Sequence, residues 1–172
     1  MKKIGLLSDT HGSLPDRLFA FFDQVDEIWH AGDIGNWATA EKLANLKPFR
    51  AVCGNIDGQD LRITYPLHQR FKCEECDVWI THIGGYPGQY HSSVRKELMA
   101  HPPNLFITGH SHILKVIWDP TLNLLHINPG AAGQYGFHKV RSAVRFLIEG
   151  SVIRDLEIWQ TDKTDKSAQT LF

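Results

Sequence analysis

A short apolar run that ends on a metal-competent side chain recurs five times between Ile4 and His112. Ile4-Gly5-Leu6-Leu7-Ser8 leads into Asp9-Thr10-His11, and Ile28-Trp29-His30-Ala31-Gly32 leads into Asp33. Ala51-Val52-Cys53-Gly54 leads into Asn55, and Val78-Trp79-Ile80-Thr81 leads into His82. Leu105-Phe106-Ile107-Thr108-Gly109 leads into His110-Ser111-His112. Short apolar runs bounded by turn residues read as buried strands. In α/β folds, sites assemble beyond the carboxyl ends of such strands. Five strand ends would bring Asp9, His11, Asp33, Asn55, His82, His110 and His112 to one edge. That ligand set is enough for two metal ions that share one ligand.

Each fragment alone means little. Asp-x-His is common, Gly-Asp and Gly-Asn usually mark turns, and His-x-His can be two surface side chains. Their joint occurrence, in order and each at a strand end, is what points to a site. Gly32, Gly54 and Gly109 each precede a candidate ligand and Gly12 follows His11. Glycine at those places is expected to supply the backbone geometry of a sharp turn.

The rest of the pattern fills in the frame. Ser13-Leu14-Pro15-Asp16 reads as a helix start capped by Ser13, with Leu18, Phe21, Phe22 and Val25 at helical spacing. Strands are expected over Ile4–Ser8, Glu27–Ala31 and Phe49–Cys53, with a helix near Ala38–Leu46. Further strands are expected over Arg62–Tyr65, Gln69–Cys73, Val78–Thr81 and Leu105–Thr108, with a helix over Ser93–Ala100. Leu114–Trp118 with Leu124–Ile127, and Ala143–Ile148 with Val152–Trp159, read as hairpins. So many strands exceed one small open sheet. The expected class is α/β, with two packed sheets flanked by helices. Residues 1–160 read as a single domain, and Thr161 to Phe172 as a polar tail without assigned structure.

The composition narrows the function classes. A net charge of −1 gives no electrostatic reason to expect a nucleic-acid or membrane partner. The apolar run after Met1-Lys2-Lys3 is too short for a secretory signal, and no run approaches the ~20 apolar residues of a membrane-spanning helix. A cytoplasmic protein is expected, and a homo-oligomer stays open. Three cysteines argue against a disulfide framework. Cys73-Glu74-Glu75-Cys76 has CxxC spacing but lacks the second ligand pair of a tetrahedral zinc site. It reads as two thiols near a hairpin turn, with reversible oxidation as the weaker alternative.

Ser8-Asp9-Thr10-His11-Gly12, Ala31-Gly32-Asp33, Val52-Cys53-Gly54-Asn55-Ile56-Asp57, Thr81-His82 and Thr108-Gly109-His110-Ser111-His112 together resemble the ordered motifs of the calcineurin-like metallophosphoesterases. The compact spacing is similar to the small bacterial and archaeal phosphodiesterase branch, as is the Asn128-Pro129-Gly130 loop. The resemblance implies a β-sandwich with helices on both outer faces. It implies one metal held by Asp9, His11, Asp33 and His112, and another by Asp33, Asn55, His82 and His110, with Asp33 bridging. It further implies a water or hydroxide between the metals that attacks a small phosphoester substrate. Mixed carboxylate and imidazole ligands suit first-row metals, manganese foremost, with iron, zinc, cobalt or nickel as alternatives.

Two readings compete within the family: phosphodiester and phosphomonoester hydrolysis. A third is a scaffold without catalysis, as in the eukaryotic retromer subunit this fold resembles; such scaffolds tend to lose ligand histidines, and here every position is filled. Many larger relatives carry histidine where this chain has Ile56, which removes a proton donor and favours diesters. Asp57 either orients a ligand or holds the turn. His91 and His138, in glycine-rich stretches, are candidate substrate contacts or plain loop histidines. His30 reads as a satisfied core or rim residue, and Cys53 as core.

Overall fold

The computed structural model describes residues 1–164. In chain order the elements are β1 (Lys2–Leu7), α1 (Asp16–Phe22), β2 (Glu27–His30), α2 (Trp37–Leu46), β3 (Phe49–Ala51) and α3 (Gln59–Thr64). Then come β4 (His68–Cys73), β5 (Cys76–Thr81), β6 (Gly85–Tyr86), β7 (Gln89–Tyr90) and α4 (Ser92–Ala100). The last are β8 (Leu105–Ile107), β9 (Leu114–Asp119), β10 (Leu124–Pro129), β11 (Val140–Glu149) and β12 (Val152–Asp162).

The strands form two five-stranded sheets, ordered β12-β11-β1-β2-β3 and β4-β5-β8-β10-β9, beside a small β6-β7 hairpin. In the first sheet β1, β2 and β3 are parallel neighbours. In the second, β5, β8 and β10 are parallel neighbours. Their carboxyl ends therefore gather into two rows, one per sheet, and those rows carry the candidate ligands.

Alternation along each strand builds the layers. Ile4, Leu6 and Trp29 from one sheet meet Val78, Ile80, Leu105, Ile107 and Ile127 from the other in the inner core. Leu7 and Ile28 point the opposite way, against Leu18, Phe22 and Leu43 of α1 and α2. Trp79 and Phe106 likewise meet Val94 and Leu98 of α4 on the far face. Gly5 lets α1 close on β1, because a Cβ there would strike the Phe22 ring. The expected two sheets with flanking helices are thus the observed architecture.

Three local expectations differ. Arg62 to Tyr65 is not a strand: α3 covers Gln59–Thr64, and the Arg62 amide bonds Gly58 O at 3.0 Å. The β-branched Ile63 and Thr64 favour extended backbone, but burying Leu61 against Ile34, Ala40 and Ala51 requires a helical turn. Ser13 does not cap α1. Its N-cap is Pro15, with no side-chain cap, and Ser13 instead bonds Thr10 O through its amide. Side-chain caps stand instead on α2, where Asn36 accepts from Thr39 N, and on α4, where His91 accepts from Ser93 N. The strand expected to end at Trp159 continues to Asp162; of the polar tail, residues 165–172 lie outside the described residues.

Candidate metal centre

The loop after β1 carries Asp9 and His11, the loop after β2 carries Asp33, and the turn after β3 carries Asn55. From the second sheet, His82 directly follows β5, and the loop after β8 carries His110 and His112. All seven converge between the two rows of strand ends. Asp9, His11 and His112 form one group whose potential ligand atoms lie within 4.8 Å of one another, and Asp33, His82 and His110 form another. His11 Nε2 lies 3.8 Å from both Asp9 Oδ1 and Asp33 Oδ2, and His82 Nε2 lies 3.2 Å from Asp33 Oδ2. Asn55 Oδ1 completes the second group, 3.1 Å from His82 Nε2.

The backbone at these loops is strained. Asp9, His11, Asp33, His110 and His112 adopt φ between 47° and 68°, a region that most side chains avoid. Such residues cost roughly 1–3 kcal/mol each and gather at functional sites. The glycines divide by cause. Gly32 has φ of 95°, so the expected conformational freedom is used there. Gly54 and Gly109 are not in that region. A Cβ at Gly54 would overlap the Asp33 carboxylate, and one at Gly109 would overlap Ser8 Oγ. Close approach, not turn geometry, requires them.

Hydrogen bonds aim the ligand atoms. Asp9 Oδ2 accepts from Ser8 Oγ (2.6 Å) and His110 N (3.1 Å), while Asp9 Oδ1 is buried with no hydrogen-bond partner. Asp33 Oδ1 accepts from Ile56 N at 3.0 Å, leaving Oδ2 toward the histidines. His82 Nδ1 faces Ala31 O at 2.8 Å, and a carbonyl only accepts, so Nδ1 carries the proton and Nε2 is the lone pair in the neutral ring. An orphaned carboxylate oxygen and imidazole lone pairs converging on it are the donor set a divalent metal needs.

The electrostatics agree. Burial pushes the Asp9 carboxyl up, but the His11 and His112 rings, the His82 charge and the Ser8 hydroxyl outweigh it and hold it well below the usual range. Burial likewise works against Asp33, and its contacts with His82 and Ile56 N still lower it. The Asp9 carboxylate raises His11, and Asp33 and Asp9 raise His82 against burial. His110 is lowered by burial.

The sequence profile of the calcineurin-like phosphoesterase superfamily domain matches residues 1–151. The chain belongs to this superfamily. It is 30% identical over 135 residues to a probable metallophosphoesterase of Methanothermobacter thermautotrophicus, covering 74% of this chain and 76% of that one. It is 26% identical over 149 residues to a phosphodiesterase of Methanocaldococcus jannaschii, covering 77% of this chain and 86% of that one. Among solved structures, zinc-complexed Vps29 of Entamoeba histolytica superposes with a TM-score of 0.73 at 16% identity, over 94% of this chain and 99% of that one. The last likeness concerns the fold.

Around this candidate metal centre the remaining candidates take distinct places. Asp57 holds the turn: Oδ1 accepts from Gly35 N (2.8 Å) and Oδ2 from Gly54 N (2.7 Å), tying the Asp33 loop to the Asn55 turn. His91 caps α4, its Nδ1 accepting from Ser93 N, and lines a cavity of about 290 Å³ beside Asn55 and His82. His138 is turned to His112 instead, with Nδ1 3.1 Å from His112 Nδ1. His30 is buried with both ring nitrogens engaged, by Thr10 Oγ1 and Gly32 N, and burial lowers it to about 4. Cys53 is buried at the cavity wall.

Arg62 and Asn128 were not among the candidate site residues, yet both brace the candidate ligand loops. Arg62, read as a strand residue, reaches from α3 to the carbonyls of Asp57, Gly54 and Asn55 and clamps the Asn55 turn. Asn128 Nδ2 donates to Gly109 O (2.8 Å) and Ser111 Oγ (3.1 Å), bracing the His110–His112 loop. The family's Asn-Pro-Gly motif was the signal for Asn128; nothing short of the helix α3 itself marks Arg62.

Cys73 and Cys76 pair across the β4-β5 turn, as the hairpin reading expects, and both are buried in the inner core. Burial pushes their thiols up, Cys76 to about 12, so neither is a ready thiolate. Among the described residues no helix is long and apolar enough to cross a membrane.

Proposed function

We propose that the chain is a binuclear metal-dependent phosphodiesterase whose metals, manganese foremost, sit in the Asp9-His11-Asp33-His112 and Asp33-Asn55-His82-His110 sets. The observation that carries this reading is the pair of adjacent ligand groups with Asp33 Oδ2 within 3.8 Å of His11 and 3.2 Å of His82, one histidine from each group. Bound there, two metals would supply Lewis acidity to the phosphoryl oxygens and lower the pKa of an attacking water.

The chain's own residues favour a diester. Among the described residues lining the 290 Å³ cavity, Arg62 is the one full cation, and its bonds go to backbone carbonyls. Leu67, Ile83 and Cys53 make much of the remaining wall apolar. Ile56, 46% exposed beside Asn55, can neither donate a proton nor hydrogen-bond through its side chain. A dianionic monoester gains more from a nearby cation than a monoanionic diester does, and the cavity offers little free cationic charge. The relative from Methanocaldococcus jannaschii named a phosphodiesterase supports the same choice.

The test compares an aryl diester, bis(4-nitrophenyl) phosphate, with 4-nitrophenyl phosphate on the manganese-loaded chain. The diester should have the higher kcat/KM, and a chelator should abolish its hydrolysis. Ile56→His should move the ratio toward the monoester, within the roughly 10²–10⁴-fold scale of general acid catalysis. A native preference for the monoester would sink the diester reading. Absence of any hydrolysis despite two bound metals would favour a scaffold.

A further inference from the structure

We propose that His138 is a positioning residue that accepts the His112 Nδ1 proton and thereby presents the His112 Nε2 lone pair to the metal group of Asp9 and His11. The inference rests on the binuclear reading above. It begins at the outer end of a two-ring chain. His138 Nε2 lies 3.0 Å from Gly133 O, and a carbonyl can only accept, so Nε2 carries the proton of that ring. A neutral imidazole has one proton, which makes His138 Nδ1 an acceptor. The atom it meets, at 3.1 Å, is His112 Nδ1, which must then be the donor. That leaves His112 Nε2 bare, 3.1 Å from Asp9 Oδ1 and 3.3 Å from His11 Nε2. The direction of the whole chain is thus fixed by one backbone carbonyl outside the site.

His82 shows the simpler form of the same arrangement, with its Nδ1 on Ala31 O directly. Hydrogen bonding of the far nitrogen fixes a ligand's tautomer and ring orientation and raises its basicity. At His112 the partner is a side chain on the loop between β10 and β11, so it can be replaced without altering any ligand.

The loop is built to keep His138 there. A Cβ at Gly136 would collide with Nδ1 of His112 and press on Nδ1 of His138, and the backbone there has φ of 121°, so glycine lets it lie on the pair. Gly136 O in turn accepts from Lys163 Nζ at 2.6 Å, and Lys163 N donates to Lys139 O at 2.9 Å. The end of β12 therefore braces the segment. With both ring nitrogens engaged, His138 has none left for a substrate.

The test is zinc titration of the metal-free full chain against a chromogenic chelator, on the native protein, His138→Phe and His138→Asn. Asparagine keeps an acceptor near the Nδ1 position; phenylalanine keeps only the ring. The native chain should bind two ions. His138→Phe should weaken one of them by about 10–100-fold, the usual effect of losing such a partner, and leave the other unchanged. His138→Asn should recover most of the loss. A native chain that binds fewer than two ions overturns the binuclear reading itself. Two ions in the native chain with His138→Phe indistinguishable overturns only the role of His138, and so does His138→Asn as weak as His138→Phe. If His138→Phe does not fold, imidazole ¹⁵N shifts of the native metal-free chain decide the matter. They should show His112 protonated at Nδ1, and protonation at Nε2 instead would overturn the proposal.

Discussion

His30 and His126 are buried imidazoles that stay neutral, each lowered by burial to about 4. Between pH 6.5 and 4 the unfolded chain takes up protons that these two rings refuse when folded, so stability falls as pH falls through that window. For His126 the gap from the ordinary imidazole value amounts to about 3 kcal/mol at the acid end. His11 and His82 act in the opposite sense, because their raised folded values add stability below pH 6.5 that is lost as pH rises past them. The metal-free chain should therefore be most stable near neutrality. Urea unfolding at pH 5 and pH 7 should show the loss on the acid side, and His126→Gln should flatten it. An unchanged slope in that variant would remove His126 from the account. Glycine makes a second prediction at this scale. Gly54→Ala places a methyl group into the Asp33 carboxylate, so zinc stoichiometry should drop while the far-UV spectrum stays native. Retention of two ions would show that the loop shifts without harm. The importance of Gly54 was legible in the sequence because it precedes the candidate ligand Asn55, but its reason was not. Turn geometry is a local property, whereas contact with Asp33 exists only after β2 and β3 have paired.

Elements divide the same way. Strands such as β1, β5 and β8 were readable because a single apolar run commits them, and their carboxyl ends pointed to the candidate ligands at once. Helix α3 was not, since its six residues become helical only by seating Leu61 under α2. The β6-β7 hairpin, two residues per strand, is too short to leave a periodic pattern. Missing α3 also hid Arg62, whose guanidinium reaches the Asn55 turn only from a helix. At β4-β5 the cysteines make a prediction about an element rather than a ligand. Cys73 is 8% exposed and Cys76 is fully buried, both facing the inner core. Replacing both with serine puts two hydroxyls there, at about 1–3 kcal/mol for each that finds no partner. Thermal unfolding should fall by several degrees, while zinc stoichiometry and diester hydrolysis stay as in the native chain. Loss of one tightly bound zinc per chain would instead mean that this pair is a ligand set.

At the scale of the whole molecule, each candidate metal group draws on both sheets. Asp9 and His11 follow β1, but their partner His112 follows β8; Asp33 follows β2, but His82 and His110 follow β5 and β8. The inner core holds the sheets together by apolar contact, and it stops where the strand ends turn polar. Beyond that line acidic and imidazole side chains face each other across the gap, with a buried Asp9 oxygen left without a hydrogen bond. On the binuclear reading, metals there bind only the folded chain, because no unfolded segment brings both rows together. Ligand linkage then adds about 4.1 kcal/mol for each ion at a free-metal concentration a thousandfold above Kd. For a chain of this size each kcal/mol moves the melting temperature by roughly 2–4 °C. Stripping both metals with a chelator should therefore lower the melting temperature by roughly 16–33 °C. Asp33→Asn, which alters the ligand common to both ions, should lose most of that increment; Asn55→Ala, at one ion only, should lose less. Hydrogen exchange should speed up at the carboxyl ends of β1 and β8 together when the metals leave. Faster exchange confined to one sheet, or a melting temperature unmoved by chelator, would mean that the site does not join the sheets.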